Sequence, residues 1–161
     1  MPVRLVIFDL DGTLWECTAG VCGQLLPPLA LEGPDALRDA TGAHLQLLPG
    51  ARALLETLRG QGILLSAASL NDEPVAREAL RLLGIEDLFS YPQLRWHPKD
   101  LSIRNILHLF AERAGIRLTP QEVLFVDDQA DNIRMARDLG VRALQVGRDL
   151  KALPDLLEHL A

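Results

Sequence analysis

The chain has 161 residues, 48% hydrophobic and 24% charged, with a formal net charge of −6. This length and balance fit one folded domain of ordinary size and exclude a disordered chain. The acidity, with no basic run of five or more, argues against a nucleic-acid surface, and no run of 18 apolar residues is present to span a membrane.

In chain order, the first apolar run, Val3 to Phe8, has the composition of a buried strand. It leads into Asp9-Leu10-Asp11-Gly12-Thr13. Acids two apart on a strand project to one side, and two ionised carboxylates about 4 Å apart at an effective dielectric near 20 repel by roughly 4 kcal/mol. A bound cation, a shared proton or a loop that turns one acid away would each relieve that repulsion. Residues 16–48 follow no clean period and contain Pro27-Pro28, Pro34, Gly20, Gly23, Gly33 and Gly42. Ala43 to Leu48 is a candidate hairpin strand. The segment is too short for a packed domain and reads as a flap over the strand ends.

Pro49-Gly50 then introduces the helix ARALLETLRG, whose Leu54, Leu55 and Leu58 form an apolar stripe. A second strand, Ile63 to Ala67, delivers Ala68-Ser69-Leu70-Asn71 at its end. Pro74 opens a helix capped by Asn71 or Asp72 and closed by Gly84. A third strand is expected over Phe89 to Leu94, followed by Trp96-His97-Pro98-Lys99 and a helix from Asp100 to Ala114. Thr119-Pro120-Gln121-Glu122 has the form of a capping box and predicts a short turn before the fourth strand, Val123 to Val126, which ends in Asp127-Asp128. A helix over Gln129 to Leu139, a fifth strand over Val141 to Val146 and a last helix over Leu150 to Leu160 complete the pattern.

Strands alternating with helices imply an α/β fold: a three-layer open parallel sheet of about five strands with helices on both faces, residues 1–161 forming one domain. Ligands of such sheets bind beyond the carboxyl ends of the strands, where acids, a hydroxyl and an ammonium converge. Of the 16 basic residues only Lys99 and Lys151 are lysines. The two cation types are not interchangeable, so Lys99 at a strand end is a candidate for a compact, three-donor ammonium. Cys17 and Cys22 are too few for a disulfide framework and lack the partners of a zinc site, which predicts reduced thiols and a cytoplasmic location. Asp9, Asp11 and Glu16 interrupt the region where a signal peptide needs an apolar stretch.

Asp9-Leu10-Asp11-Gly12-Thr13-Leu14 after an apolar strand resembles the first motif of the haloacid-dehalogenase-like (HAD) phosphohydrolase superfamily. Ser69, Lys99 and Asp127-Asp128 are similar to its second, third and fourth motifs, in order and at strand ends. The resemblance covers nearly the whole chain. It implies Asp9 as the nucleophile that forms an aspartyl-phosphate and Asp11 as general acid and then base. It further implies Ser69 and Lys99 as donors to the phosphoryl group, with Asn71 as a further candidate. Mg²⁺ would be held by Asp9, the Asp11 carbonyl and Asp128, with Asp127 as neighbour or second ligand. Thr13 would support the turn, and Asn132 is a candidate to orient Lys99 or a metal-bound water.

Many superfamily members insert a cap domain, but the 29 residues between Ser69 and Lys99 hold no more than a helix and a strand. The D-x-D-x-T-L-W and F-V-D-D-x-x-x-N patterns resemble the capless branch, especially magnesium-dependent acid phosphatases. The implied substrates are small phosphate esters, including sugar phosphates or phosphotyrosine, acted on by a monomer or weak homodimer with no nucleic-acid or membrane partner. A related phosphotransferase or glyceryl-carrier-loading branch is one alternative, although such proteins usually carry extra domains. A receiver domain of phosphorelay signalling is another. There, however, the phosphorylated Asp follows the third strand and the lysine lies on the last, an order this chain does not have. Trp15 and Trp96 read as packing or as the mouth of the site, and His44 and His97 receive no role.

Overall fold

The computed structural model describes residues 1–19 and 21–161, so Gly20, within the segment read as a flap, lies outside the described residues. The first apolar run forms β1 (Leu5–Phe8), buried throughout. Four short strands follow, β2 (Trp15–Cys17), β3 (Ala30–Leu31), β4 (Ala36–Arg38) and β5 (His44–Leu47), pairing antiparallel in the order β2-β5-β4-β3. The remainder alternates α1 (Ala51–Gly60), β6 (Leu64–Ala67), α2 (Glu73–Leu82), α3 (Lys99–Ala114), β7 (Val123–Asp127), α4 (Ala130–Asp138) and β8 (Arg142–Gln145).

The main sheet is parallel, in the order β6-β1-β7-β8, with Phe8 level with Ala67 on one side and Val126 on the other. Strand β1 is central, and the chain builds first to one side of it and then to the other. The crevice at such a reversal lies beyond the carboxyl end of β1, where Asp9 follows. Period-two alternation splits the core. Val6 and Phe8 face α1, α2 and the small sheet, whereas Leu5 and Ile7 pack with Ile103, Phe110 and Phe125 on the face of α3 and α4.

The main sheet has four strands, not the five expected. Phe89 to Leu94 runs beside β6, with Ser90 N donating to Leu65 O at 2.8 Å and Gln93 N to Ala67 O at 2.8 Å, and retains a single bridge from Ala68 to Gln93. Tyr91 adopts φ 53° and Pro92 has no N–H, so a continuous ladder cannot form. The expected last helix is a 3-10 segment, Leu153–His159. Pro154 supplies no donor there, and the buried Leu153 and Leu156, three residues apart, share the face that a three-residue turn directs inward. Thr119 forms the anticipated capping box, its N–H donating to Glu122 Oε2 at 2.9 Å. No helix among the described residues is long and apolar enough to cross a membrane.

The described residues of the segment 16–48 are more ordered than their sequence suggests. In β5, His44 and Gln46 are exposed while Leu45 and Leu47 are buried, and Leu25, Leu37 and Trp15 join them in the same core as Phe8. The turn between β4 and β5 is organised by Asp39. It accepts hydrogen bonds from Leu26 N at 2.9 Å, Thr41 N at 2.8 Å, Thr41 Oγ1 at 2.7 Å and Ala43 N at 2.9 Å. These donors, Leu26 N–H foremost, hold its carboxyl at about 2, below the usual value. A depressed carboxyl contributes stability above its unfolded pKa of about 3.9 and loses it as pH falls through the folded value. Asp39→Ala is therefore expected to be less stable than the wild type at pH 6. The gap in urea midpoint should close as pH is lowered from about 4 toward 2, which matched urea titrations would measure.

Candidate active site

Asp9 continues the β1 ladder, its N–H donating to Val126 O at 2.9 Å, and its side chain enters the crevice nearly buried. Lys99, the first residue of α3, donates to Asp9 Oδ1 at 2.8 Å and to Ala68 O, with its Nζ 3.3 Å from Asp127 Oδ2. The lysine is 3% exposed and sits 5.8 Å from the centre of the Phe125 ring. Thr13 Oγ1 donates to the other Asp9 oxygen at 3.3 Å. Asp127, at the end of β7, accepts from Gln129 N at 2.9 Å and Asn132 Nδ2 at 3.0 Å. Half-buried Asp128 accepts from Gln129 Nε2 at 3.1 Å. Carboxylate oxygens of Asp9, Asp127 and Asp128 lie within 4.8 Å of one another.

Three carboxylates thus crowd together, two of them buried and paired with one ammonium. Burial pushes the Asp9 carboxyl up to about 7, the charges of Asp127 and Asp128 adding to the shift and Lys99 opposing it. Burial likewise raises Asp127, again against Lys99. Gly12 permits the close approach of the third acid. Its φ is +80°, and a Cβ there would lie 2.5 Å from Asp128 Oδ2.

Asp11 does not join this carboxylate cluster. The chain turns sharply after β1, with Leu14 N donating to Leu10 O at 2.9 Å and Gly12 N to Trp15 O at 2.8 Å. Leu10 and Leu14 are both buried and anchor that turn. The Asp11 carboxylate is held by Trp15 Nε1 at 2.8 Å and Cys22 N at 2.9 Å on Oδ1, and by Asn71 Nδ2 at 2.8 Å on Oδ2. Burial raises its pKa, while the hydrogen bonds from Asn71, Trp15 and Cys22 oppose the rise. Of the three ways to relieve two adjacent acids, the turn that redirects one of them is therefore realised. The clustering of Asp9 with Asp127 and Asp128 still calls for a cation.

Asp9, Asp11, Ser69, Lys99 and Asp128 line one cavity of about 160 Å³, with Val21 and Leu70 on its apolar side and Gln129 and Asn132 completing the wall. Ser69 is 3% exposed and accepts from Asn71 Nδ2 at 2.8 Å, so its own hydroxyl hydrogen is free for another acceptor. Asn132, a candidate to orient Lys99 or a metal-bound water, donates to Asp127 Oδ2, the oxygen that Lys99 approaches at 3.3 Å. Trp15 is fully buried and packs as expected, and its donation to Asp11 is a role the sequence did not disclose. Its position four residues beyond Asp11, on the returning strand of a tight turn, was the available signal. Cys22 was read only as a thiol, yet its backbone N–H holds Asp11. Cys17 and Cys22 are both free, and burial pushes both thiols up. Trp96, 65% exposed, and His97 do not line the cavity, and His44 pairs with Glu32 at 2.8 Å on the surface.

A family model described as Acid Phosphatase matches residues 2–153. Magnesium-dependent phosphatase 1 of Homo sapiens is 30% identical over 160 residues, which are 98% of this chain and 87% of the human protein. Among solved structures, a HAD-superfamily hydrolase from Ehrlichia chaffeensis superposes with a TM-score of 0.71 at 16% identity, covering 99% of this chain and 96% of its own. The N-terminal part of a Bacteroides fragilis protein containing a phosphatase domain, complexed with Mg, superposes with a TM-score of 0.64 at 24% identity, covering 98% of this chain and 39% of that one. At these identities the two structures bear on the fold.

Proposed function

The chain belongs to the acid phosphatase family of HAD-like hydrolases, and on that premise we propose that it is a Mg²⁺-dependent phosphomonoesterase working through an aspartyl-phosphate on Asp9. The observation that carries this reading is the cluster of Asp9, Asp127 and Asp128 carboxylates, of which only Asp9 and Asp127 pair with Lys99. Its donor set suits a hard divalent ion: carboxylate oxygens, too many for one ammonium to neutralise, in a pocket that disfavours their charge. Asp9, Asp128 and the Asp11 carbonyl would hold Mg²⁺. Asp127 has both oxygens engaged by Gln129, Asn132 and Lys99, which favours Asp128 as the direct ligand and Asp127 as its neighbour. When bound, the ion neutralises charge on the phosphoryl oxygens.

In the proposed first step an Asp9 oxygen attacks phosphorus, the bond from phosphorus to the ester oxygen breaks, and Asp11 gives that oxygen its proton. Water then attacks the same phosphorus, Asp11 takes the water proton, and the bond to Asp9 breaks to release phosphate. Lys99 and the Ser69 hydroxyl donate to the equatorial oxygens, and Thr13 steadies Asp9. A cavity of about 160 Å³ fits a phosphoryl group and the first atoms of its ester, so the rest of a small phosphorylated substrate lies outside, past Val21 and Leu70. Residues 1–161 act as one catalytic unit, with 16–48 as the flap that brings Val21 to the site. The name of the human relative agrees with the metal dependence.

A library of sugar, alkyl and aryl phosphates assayed with Mg²⁺ and with EDTA tests the proposal. Turnover is expected with Mg²⁺, lost in EDTA and recovered when Mg²⁺ is restored, with a hydroxylamine-labile phosphoryl group trapped on the protein by rapid quench. Undiminished turnover in EDTA would overturn the metal assignment, and quench without any acyl phosphate would overturn the covalent route.

A further inference from the structure

We infer that Asn71 is a positioning residue which, with the Cys22–Gly23 turn of the flap, aims the Asp11 carboxylate. The inference rests on the reading of Asp11 as the general acid. Asn71 is 1% exposed and spends its whole amide on this task. Its Nδ2 donates to Asp11 Oδ2 at 2.8 Å and to Ser69 Oγ at 2.8 Å. Its Oδ1 accepts from Gly23 N at 2.7 Å and from Cys22 Sγ at 3.3 Å. A backbone N–H can only donate, so the Gly23 contact determines which end of the amide is oxygen, and the NH₂ end must face the carboxylate.

The contact is too close for any residue but glycine at 23. A Cβ there would lie 2.7 Å from Asn71 Oδ1 and 2.6 Å from Asp72 N. The same turn supplies Cys22 N to Asp11 Oδ1 at 2.9 Å, and Trp15 Nε1 reaches that oxygen at 2.8 Å. Three separate parts of the chain thereby grip one carboxylate: β2, the flap turn and the loop after β6. Both amide hydrogens of Asn71 are committed, so it has none for a phosphate oxygen. It acts on the reaction through Asp11, with Ser69 anchoring its second hydrogen.

Displacing a catalytic group by about 1 Å can slow a reaction on the order of 10²-fold. A misaimed general acid slows most the esters whose leaving oxygen must be protonated. Asn71→Ala, Asp11→Asn and the double variant are assayed with Mg²⁺ on p-nitrophenyl phosphate, whose leaving group needs little protonation, and on an alkyl phosphate that the wild type hydrolyses. Asn71→Ala is expected to lose about 10²-fold in kcat/KM on the alkyl ester and less than about tenfold on the nitrophenyl ester, kcat/KM reporting the step in which the leaving oxygen is protonated and not the later hydrolysis common to both. Adding Asn71→Ala to Asp11→Asn should cost little more, because both act through one carboxylate. Gly23→Ala perturbs the same grip from the flap side and should show the same selectivity, with near-UV circular dichroism checking the fold of each variant. Equal losses in kcat/KM on both esters, or multiplicative losses in the double variant, would overturn the role of Asn71 alone. An Asp11→Asn variant without leaving-group selectivity would instead overturn the reading of Asp11 as the acid.

Discussion

Asp9→Asn is expected to lower turnover of every phosphate ester by on the order of 10⁴-fold or more, while the protein stays folded. The amide keeps the shape and volume of the carboxylate, so Phe8, Val126 and the surrounding sheet have no cavity to fill. It cannot form the acyl phosphate, and no neighbouring acid can replace it. Asp127 is tied down by Gln129, Asn132 and Lys99, and Asp11 is held outside the cluster by Trp15, Cys22 and Asn71. The substitution also removes one of three crowded negative charges, from a site where burial has already pushed Asp9 up to about 7. In EDTA, therefore, the thermal midpoint of Asp9→Asn should equal or exceed that of the wild type. The rise in midpoint on adding Mg²⁺ should be smaller, since a ligand stabilises by RT ln(1 + [L]/Kd) and the variant, with one carboxylate fewer, binds the ion more weakly. Turnover assays and thermal melts with and without Mg²⁺ measure both effects, and an active Asp9→Asn enzyme would exclude Asp9 as the nucleophile.

Lys99→Met should damage stability and chemistry together. Methionine retains the apolar stem against Phe125 but removes the cation that Asp9 and Asp127 share at 2.8 and 3.3 Å. Breaking a buried ion pair from one side typically costs about 3–5 kcal/mol, because the remaining charge is left uncompensated. With metal absent, the variant is expected to melt well below the wild type. Mg²⁺ should restore a larger share of stability to it than it adds to the wild type, since the ion then supplies charge that the lysine no longer does. Activity should fall on the order of 10²–10³-fold with saturating Mg²⁺, the loss expected for a donor aimed at transition-state charge. Thermal melts in EDTA and in Mg²⁺, followed by kcat at saturating Mg²⁺, test this. Wild-type kcat in Lys99→Met would remove the lysine from the phosphoryl site.

Most of the site could be read in the sequence because each group sits immediately after a strand whose apolar composition is legible by itself. Asp9 follows β1, Ser69 and Asn71 follow β6, and Asp127 closes β7. Parallel strands bring their carboxyl ends to one rim, so locating the strands also gathers the residues. Lys99 stood out through its rarity among arginines and its place before a helix. The expected third strand failed for a local reason that composition conceals. Phe89 to Leu94 is apolar enough, but Pro92 and the positive φ of Tyr91 interrupt its pairing. Apart from β5, which lies within the expected strand Ala43 to Leu48, the flap was illegible for the opposite reason. Its strands are two to four residues long, below the length at which alternation can be recognised, and they become stable by sharing the core of the main sheet.

The sequence by itself determined the α/β alternation, the membership of Asp9, Asp11, Ser69, Lys99, Asp127 and Asp128 in one rim, and the absence of room for a large cap, because these follow from local composition and spacing. Only the tertiary structure decided how the acids divide. Asp9 clusters with Asp127 and Asp128 and shares Lys99 with Asp127, while Asp11 is drawn to Trp15, Cys22 and Asn71. That division depends on hydrogen-bond donors 11 and 60 residues away along the chain. A two-residue spacing places two carboxylates side by side on a strand, and only the groups folded against them determine what each one faces.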